Sequence, residues 1–94
     1  MRLIRLPGIK ARTGLNSQTS IYKAINDGTL PKPVRVSARC VGWPEHEVDC
    51  LLHARAAGAS DDEVRALVAR LHAARVTEWK HIQATVGLST EAAA

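Results

Sequence analysis

Phenylalanine is absent, and Tyr22, Trp43 and Trp79 are the only aromatic residues, 3% of the composition. Any core must therefore be built almost entirely from aliphatic side chains. Cysteine is scarce too. Cys40 and Cys50 are too few for a disulfide scaffold and read as reduced thiols of a cytoplasmic protein. No apolar run approaches the length that spans a bilayer. The opening Met1-Arg-Leu-Ile-Arg-Leu-Pro is interrupted by Arg5 and Pro7, which rules out the apolar stretch of a signal peptide. Secreted and membrane-embedded readings are excluded on these grounds. Glycine-rich phosphate loops and nucleophile motifs are also missing, so neither an enzyme nor a cofactor is expected. What remains is a 94-residue chain with 46% hydrophobic and 23% charged residues, the balance of one small folded domain.

The charge is unevenly spread. Residues 1–42 carry eight basic side chains (Arg2, Arg5, Lys10, Arg12, Lys23, Lys32, Arg35, Arg39) against one acid, Asp27, a formal +7. Residues 43–94 carry five basic side chains against eight acids, a formal −3, together with all four histidines. A basic block of this size on a small domain is the footprint of a polyanionic partner.

The order of elements gives that partner a shape. Leu3 to Leu6 can form a short strand. Pro7 suits the first turn of a helix that runs through Ile9 and Arg12 and stops at Thr13-Gly14. Asn16 or Ser17 then caps a second helix whose Ile21 and Ile25 share a buried face, ending at Asp27-Gly28. Two short helices joined through a glycine turn make a helix-turn-helix. Ser17, Gln18, Thr19, Ser20, Tyr22 and Lys23 lie on or near the outward, N-terminal side of the second helix. Their side chains can bond bases or phosphates and are short enough for the helix to enter a major groove.

Pro31 and Pro33 forbid helix in the next segment. Val34-Arg35-Val36 alternates apolar with basic as a half-buried strand does, Ser37-Ala38-Arg39 can turn, and Cys40-Val41-Gly42 can return. That is a β-hairpin wing with Lys32, Arg35 and Arg39 along it or at its tip. Its turn lacks the Asn-Gly signal of a strong two-residue hairpin. Trp43, at a Gly-Trp-Pro entry to an apolar helix, reads as core. Pro44 reads as the first residue of a third helix, with Glu45 and Glu47 in its positive first turn, Val48, Leu51 and Leu52 as its stripe, and Gly58 closing it.

Ser60-Asp-Asp-Glu63 is a capping box that opens a fourth helix. Val64, Leu67, Val68 and Leu71 follow helical spacing, while Arg75 and Glu78 stand where apolar residues would continue the stripe. No helix breaker precedes Gly87, so this helix can run past Arg75. The stripe suits either the chain's own core or a homodimer or cooperative oligomer. Cys40, His46, Cys50 and His53 lack the paired spacing of zinc fingers, so no metal is expected.

Taken in order and spacing, Arg5-Leu-Pro-Gly-Ile-Lys-Ala-Arg-Thr-Gly-Leu15, Ile21-Tyr22-Lys23, Gly28-Thr-Leu-Pro-Lys-Pro-Val34, and Arg39-Cys-Val-Gly-Trp43 followed by Glu47-Val48 resemble the AlpA family. These are small DNA-binding regulators of phages and mobile elements, related in fold to excisionases and MerR-type winged helices. The resemblance covers roughly residues 3–56. It implies a winged helix-turn-helix with Ser17 to Asn26 as recognition helix and Arg35 and Arg39 on the wing. It also implies a role in switching integrase or excision genes, or in acting as a recombination directionality factor.

The fold class expected is therefore mainly α with a small β-hairpin wing. Residues 1–58 form the winged helix-turn-helix, 59–86 a C-terminal helix and 87–94 a flexible tail. Double-stranded DNA is the expected partner, in the cytoplasm at the nucleoid, with integrase or RNA polymerase as protein contacts. The alternative from another class is a protein-interaction adaptor acting through the helix 60–75.

Overall fold

In the computed structural model, which describes residues 1–87, helix α1 (Leu6–Thr13) and helix α2 (Gln18–Asp27) follow a two-residue strand, β1 (Leu3–Ile4). Strands β2 (Val34–Ser37) and β3 (Cys40–Pro44) come next, then helices α3 (Glu45–Ala56) and α4 (Asp61–Thr85). The expected tail from residue 88 onward lies outside the described residues. No described helix is long and apolar enough to cross a membrane.

The wing is more than a hairpin. Strand β1 pairs antiparallel with β3, Leu3 opposite Pro44 and Ile4 opposite Trp43, so the strand order is β1-β3-β2. Gly42 permits this third strand. A Cβ at that position would stand 3.0 Å from Leu3 Cβ and 3.1 Å from the Ile4 carbonyl oxygen. Pro44, expected to open α3, instead ends β3 opposite Leu3, and the Glu45 N–H donates to the Arg2 carbonyl at 2.8 Å. The ladder therefore extends one residue further than the helix signal suggests, and α3 begins at Glu45.

Strand β2 corrects a second expectation. Arg35 stands opposite Val41 and Ser37 opposite Cys40, which leaves Val36 as an extra residue in a bulge. Val36 is 61% exposed rather than half-buried. The two-residue turn Ala38-Arg39 accounts for it. Hairpin turns that match strand twist need positive φ, and no non-glycine residue here has one. The bulge supplies the bend and the added twist instead.

The core comprises Ile4, Ile9, Ile21, Leu30, Trp43, Val48, Leu51, Val64 and Val68, aliphatic but for one indole. Trp43 is buried as expected, and its Nε1–H donates to the Pro31 carbonyl at 2.8 Å. Helix α4 completes this core. Val64 and Val68 are buried and Leu67 and Leu71 half-buried, so the stripe considered for dimerisation is largely spent inside its own chain. The capping box forms in full. Ser60 Oγ accepts from the Glu63 N–H at 3.1 Å, and Glu63 Oε1 accepts from the Ser60 N–H at 3.0 Å, which holds the Glu63 carboxyl below its ordinary range.

Arg75 does continue the stripe, as a charge. Its Nε donates to Glu47 Oε2 at 2.7 Å and its Nη2 to Glu47 Oε1 at 2.5 Å. Glu47 is 1% exposed. The fork geometry and buried setting make this a bidentate interior ion pair, with both carboxylate oxygens satisfied.

Candidate nucleic-acid interface

The start of α2 is set by Ser17, whose extended backbone and side chain make it the N-cap. Its Oγ accepts from the Ser20 N–H at 3.1 Å and lies 2.9 Å from the Ser20 hydroxyl. Ile21 is buried, and Ala24 and Ile25 pack against the core, which fixes the helix's rotation. The outward face follows directly. Gln18, Thr19, Tyr22, Lys23, Asn26 and Asp27 line one shallow, open depression. Tyr22 is 45% exposed on this face.

Five of the nine anticipated contact residues thus sit on α2 and a sixth, Ser17, caps it, but they are not equivalent. The Ser17 and Ser20 hydroxyls bond each other at the cap, while Gln18, Thr19, Tyr22 and Lys23 face outward. Asn26, the last residue of the recognition helix that the resemblance implies, joins this face one turn beyond Tyr22 and two beyond Thr19. Its amide can make the bidentate contact that reads adenine.

The remaining three anticipated residues belong to the wing or its root. Lys32, Arg35 and Arg39 are exposed. Arg35 Nη2 donates to the Ala38 carbonyl at 3.3 Å across the turn, which steadies the guanidinium and leaves most of its donors available.

The ion pairs divide the cations into two sets. Arg12 bonds Glu45 at 3.1 Å and Asp49 at 3.2 Å, and Arg2 stands 3.7 Å from Glu45. Arg55 pairs with Asp61, Arg65 with Asp62, and Arg75 with Glu47. Lys23, Lys32, Arg35 and Arg39 have no acidic partner within 4.0 Å among the described residues, nor do Arg5, Lys10, Arg70 and Lys80. The acids of α3 and α4 pair with the arginines that stitch the fold together, whereas the cations of α2 and the wing carry no such counter-charge among the described residues.

Between α2 and the wing the backbone is held from both sides. Arg65 Nε donates to the Asp27 carbonyl at 2.9 Å, at the negative C-terminal end of α2. His72 Nε2 accepts from the Lys32 N–H at 3.1 Å, and Arg75 Nη2 donates to the Lys32 carbonyl at 2.8 Å. Accepting that bond requires a neutral imidazole. Burial, followed by the Arg75 charge, lowers the His72 pKa from its ordinary value and favours that form, while Glu47 opposes the shift.

Among the described residues, no group of three or more histidine, cysteine or acidic side chains is placed to hold a metal ion. Cys40 lies on β3, whereas His46, Cys50 and His53 lie exposed along α3.

Residues 2–56 match the family model described as prophage CP4-57 regulatory protein (AlpA). The DNA-binding transcriptional activator AlpA of Escherichia coli (strain K12) is 34% identical over 55 residues, spanning 52% of this chain and 77% of that protein. No solved structure matches the chain.

Proposed function

Because the chain belongs to the AlpA family of prophage regulatory proteins, we propose that it binds duplex DNA as a winged helix-turn-helix and regulates transcription on a prophage or integrative element. One observation carries the reading beyond kinship: among the described residues the cations of α2 and the wing have no acidic partner within 4.0 Å, while the arginines used in packing are ion-paired. Helix α2 enters the major groove, where Gln18, Thr19 and Asn26 meet base edges and the Tyr22 hydroxyl and Lys23 meet phosphate or base. Ser17 and Ser20 set the helix start that aims these side chains. Lys32, Arg35 and Arg39 contact the backbone from the wing and its root. No catalytic step is involved, and the protein works in the cytoplasm where its DNA is.

Burial of Val64 and Val68 within the chain leaves the adaptor reading through residues 60–75 less apolar surface, which favours the DNA-binding reading. The test is fluorescence anisotropy on duplexes tiling the gene's own upstream region and any nearby attachment site, across a salt series. Selective binding is expected, with log K falling by about 0.9 per phosphate contact for each tenfold rise in salt. Arg35→Ala and Arg39→Ala should each flatten that slope by about one contact. Equal, weak binding to every duplex would sink the proposal.

A further inference from the structure

The segment Pro31-Lys32-Pro33 joins the recognition helix to the wing, and its backbone is unusually short of donors. Both prolines lack an N–H, so the Lys32 amide is the one hydrogen-bond donor the tripeptide backbone has. That amide donates to His72 Nε2 of α4. The Lys32 carbonyl accepts from Arg75, also of α4, and the Pro31 carbonyl accepts from Trp43. Strand β2 begins two residues after Lys32. On the other side of the connector, Arg65 bonds the Asp27 carbonyl, and its Cγ lies 3.5 Å from where a Cβ on Gly28 would be. One helix therefore grips both the end of α2 and the root of the wing.

The segment matched by the family model stops at residue 56, so all three gripping side chains lie outside it. From this geometry we infer that α4 is the positioning element of the DNA-binding surface. His72 and Arg75 set the wing's pose relative to α2, and with it the reach of Lys32, Arg35 and Arg39. The inference rests on the DNA-binding reading above. His72 and Arg75 touch no DNA in it; they act through the Lys32 backbone. The arrangement is rigid because the Arg75 fork is fixed by buried Glu47 while the same guanidinium reaches Lys32.

The test uses the full chain in four forms: wild type, His72→Phe, the double variant Glu47→Leu with Arg75→Leu, and an Arg70→Ala control on the exposed side of α4. Arg75→Ala alone is avoided because it strands the Glu47 carboxylate. Replacing both partners leaves no unpaired buried charge and keeps the fold. Melting monitored by circular dichroism establishes that each form is folded at the assay temperature, and hydrogen exchange reports directly on the Lys32 amide.

Each form is then titrated with the selected duplex across a salt series, with and without Arg39→Ala. The expected result is faster Lys32 exchange and a salt slope flattened by one to two contacts in His72→Phe and in the double variant. Each lost contact weakens binding about eightfold at 0.1 M salt. Arg39→Ala should then cost less in those backgrounds than in wild type, because a displaced wing no longer delivers Arg39 to phosphate. Arg70→Ala should keep the wild-type slope.

Folded variants that keep the wild-type slope, or in which Arg39→Ala retains its full effect, overturn the positioning role and leave DNA binding intact. A wild-type chain whose binding is neither selective nor salt-dependent overturns both.

Discussion

Glu47 and Arg75 illustrate how much one pair of side chains can ask of a small core. The carboxylate is 1% exposed, whereas the arginine side chain keeps a quarter of its surface in water. The two truncations are therefore unequal. Arg75→Ala leaves an unpaired charge with no route to solvent and should cost about 3–5 kcal/mol. Glu47→Ala leaves a guanidinium that can swing outward along its apolar stem, and should cost only ~1–2 kcal/mol. Urea denaturation of the two variants checks the order, and equal midpoints would contradict it. This node was not legible in the chain. Periodicity marks apolar positions only, so an arginine in the stripe looked like the stripe's end, and its partner lies 28 residues upstream. Trp43 was legible, because a tryptophan between glycine and proline at the mouth of an apolar helix has few places to go but inward.

Helix boundaries carried by side-chain chemistry and the strands of the wing hairpin could be read ahead of structure, and the detailed pairing of the sheet could not. Ser60 with Glu63, Ser17 at the start of α2, and Gly14 and Gly28 in left-handed conformation at two C-termini are all local signals with local causes. The bulge at Val36 depends on the exact register of β2 on β3, and the pairing of β1 depends on a strand about forty residues away, neither of which a short window reports. The extent of α4 followed from the lack of breakers, but its function as a clamp did not, because His72 and Arg65 bond backbone atoms about forty residues away. That clamp makes stability depend on pH. The His72 pKa is lowered in the fold. Above its unfolded value of 6.5 both states hold a neutral imidazole, and the contribution is fully present. As the pH falls below that value the unfolded chain takes up the proton first, so stability declines until the folded imidazole titrates as well. Thermal melts between pH 7.5 and pH 5 should show this decline, and His72→Gln should remove His72's share of it; an unchanged pH profile would contradict the assignment.

The whole molecule is less modular than its family match suggests. The matched segment ends with the last residue of α3, yet Val64 and Val68 beyond it are among the most deeply buried residues. Burying each is worth roughly 1.5–3 kcal/mol, a large share of the 5–15 kcal/mol by which native domains are stable. Residues 1–58 alone should therefore fail to fold cooperatively, with a broad thermal transition by circular dichroism and weak, non-selective DNA binding. A sharp transition in that fragment would show that α4 is dispensable to the core. The resemblance of residues 3–56 to the AlpA family pointed to the winged fold and to DNA. The dependence of that fold on the following helix became visible only in three dimensions.

The same long helix also shows apolar side chains to solvent along its second half. Val76, Trp79 and Ile82 on it and Val86 just past its end are exposed, and Trp79 is half exposed while Trp43 is sealed in the core. These are the chain's only two indoles. Their light emission therefore separates without any label. A blue-edge component from Trp43, shielded from dissolved iodide, reports the state of the interior. A red-edge component from Trp79, open to iodide, reports what happens along the far end of α4. Melting of the core and events at the helix tip can thus be followed as two colours of one protein.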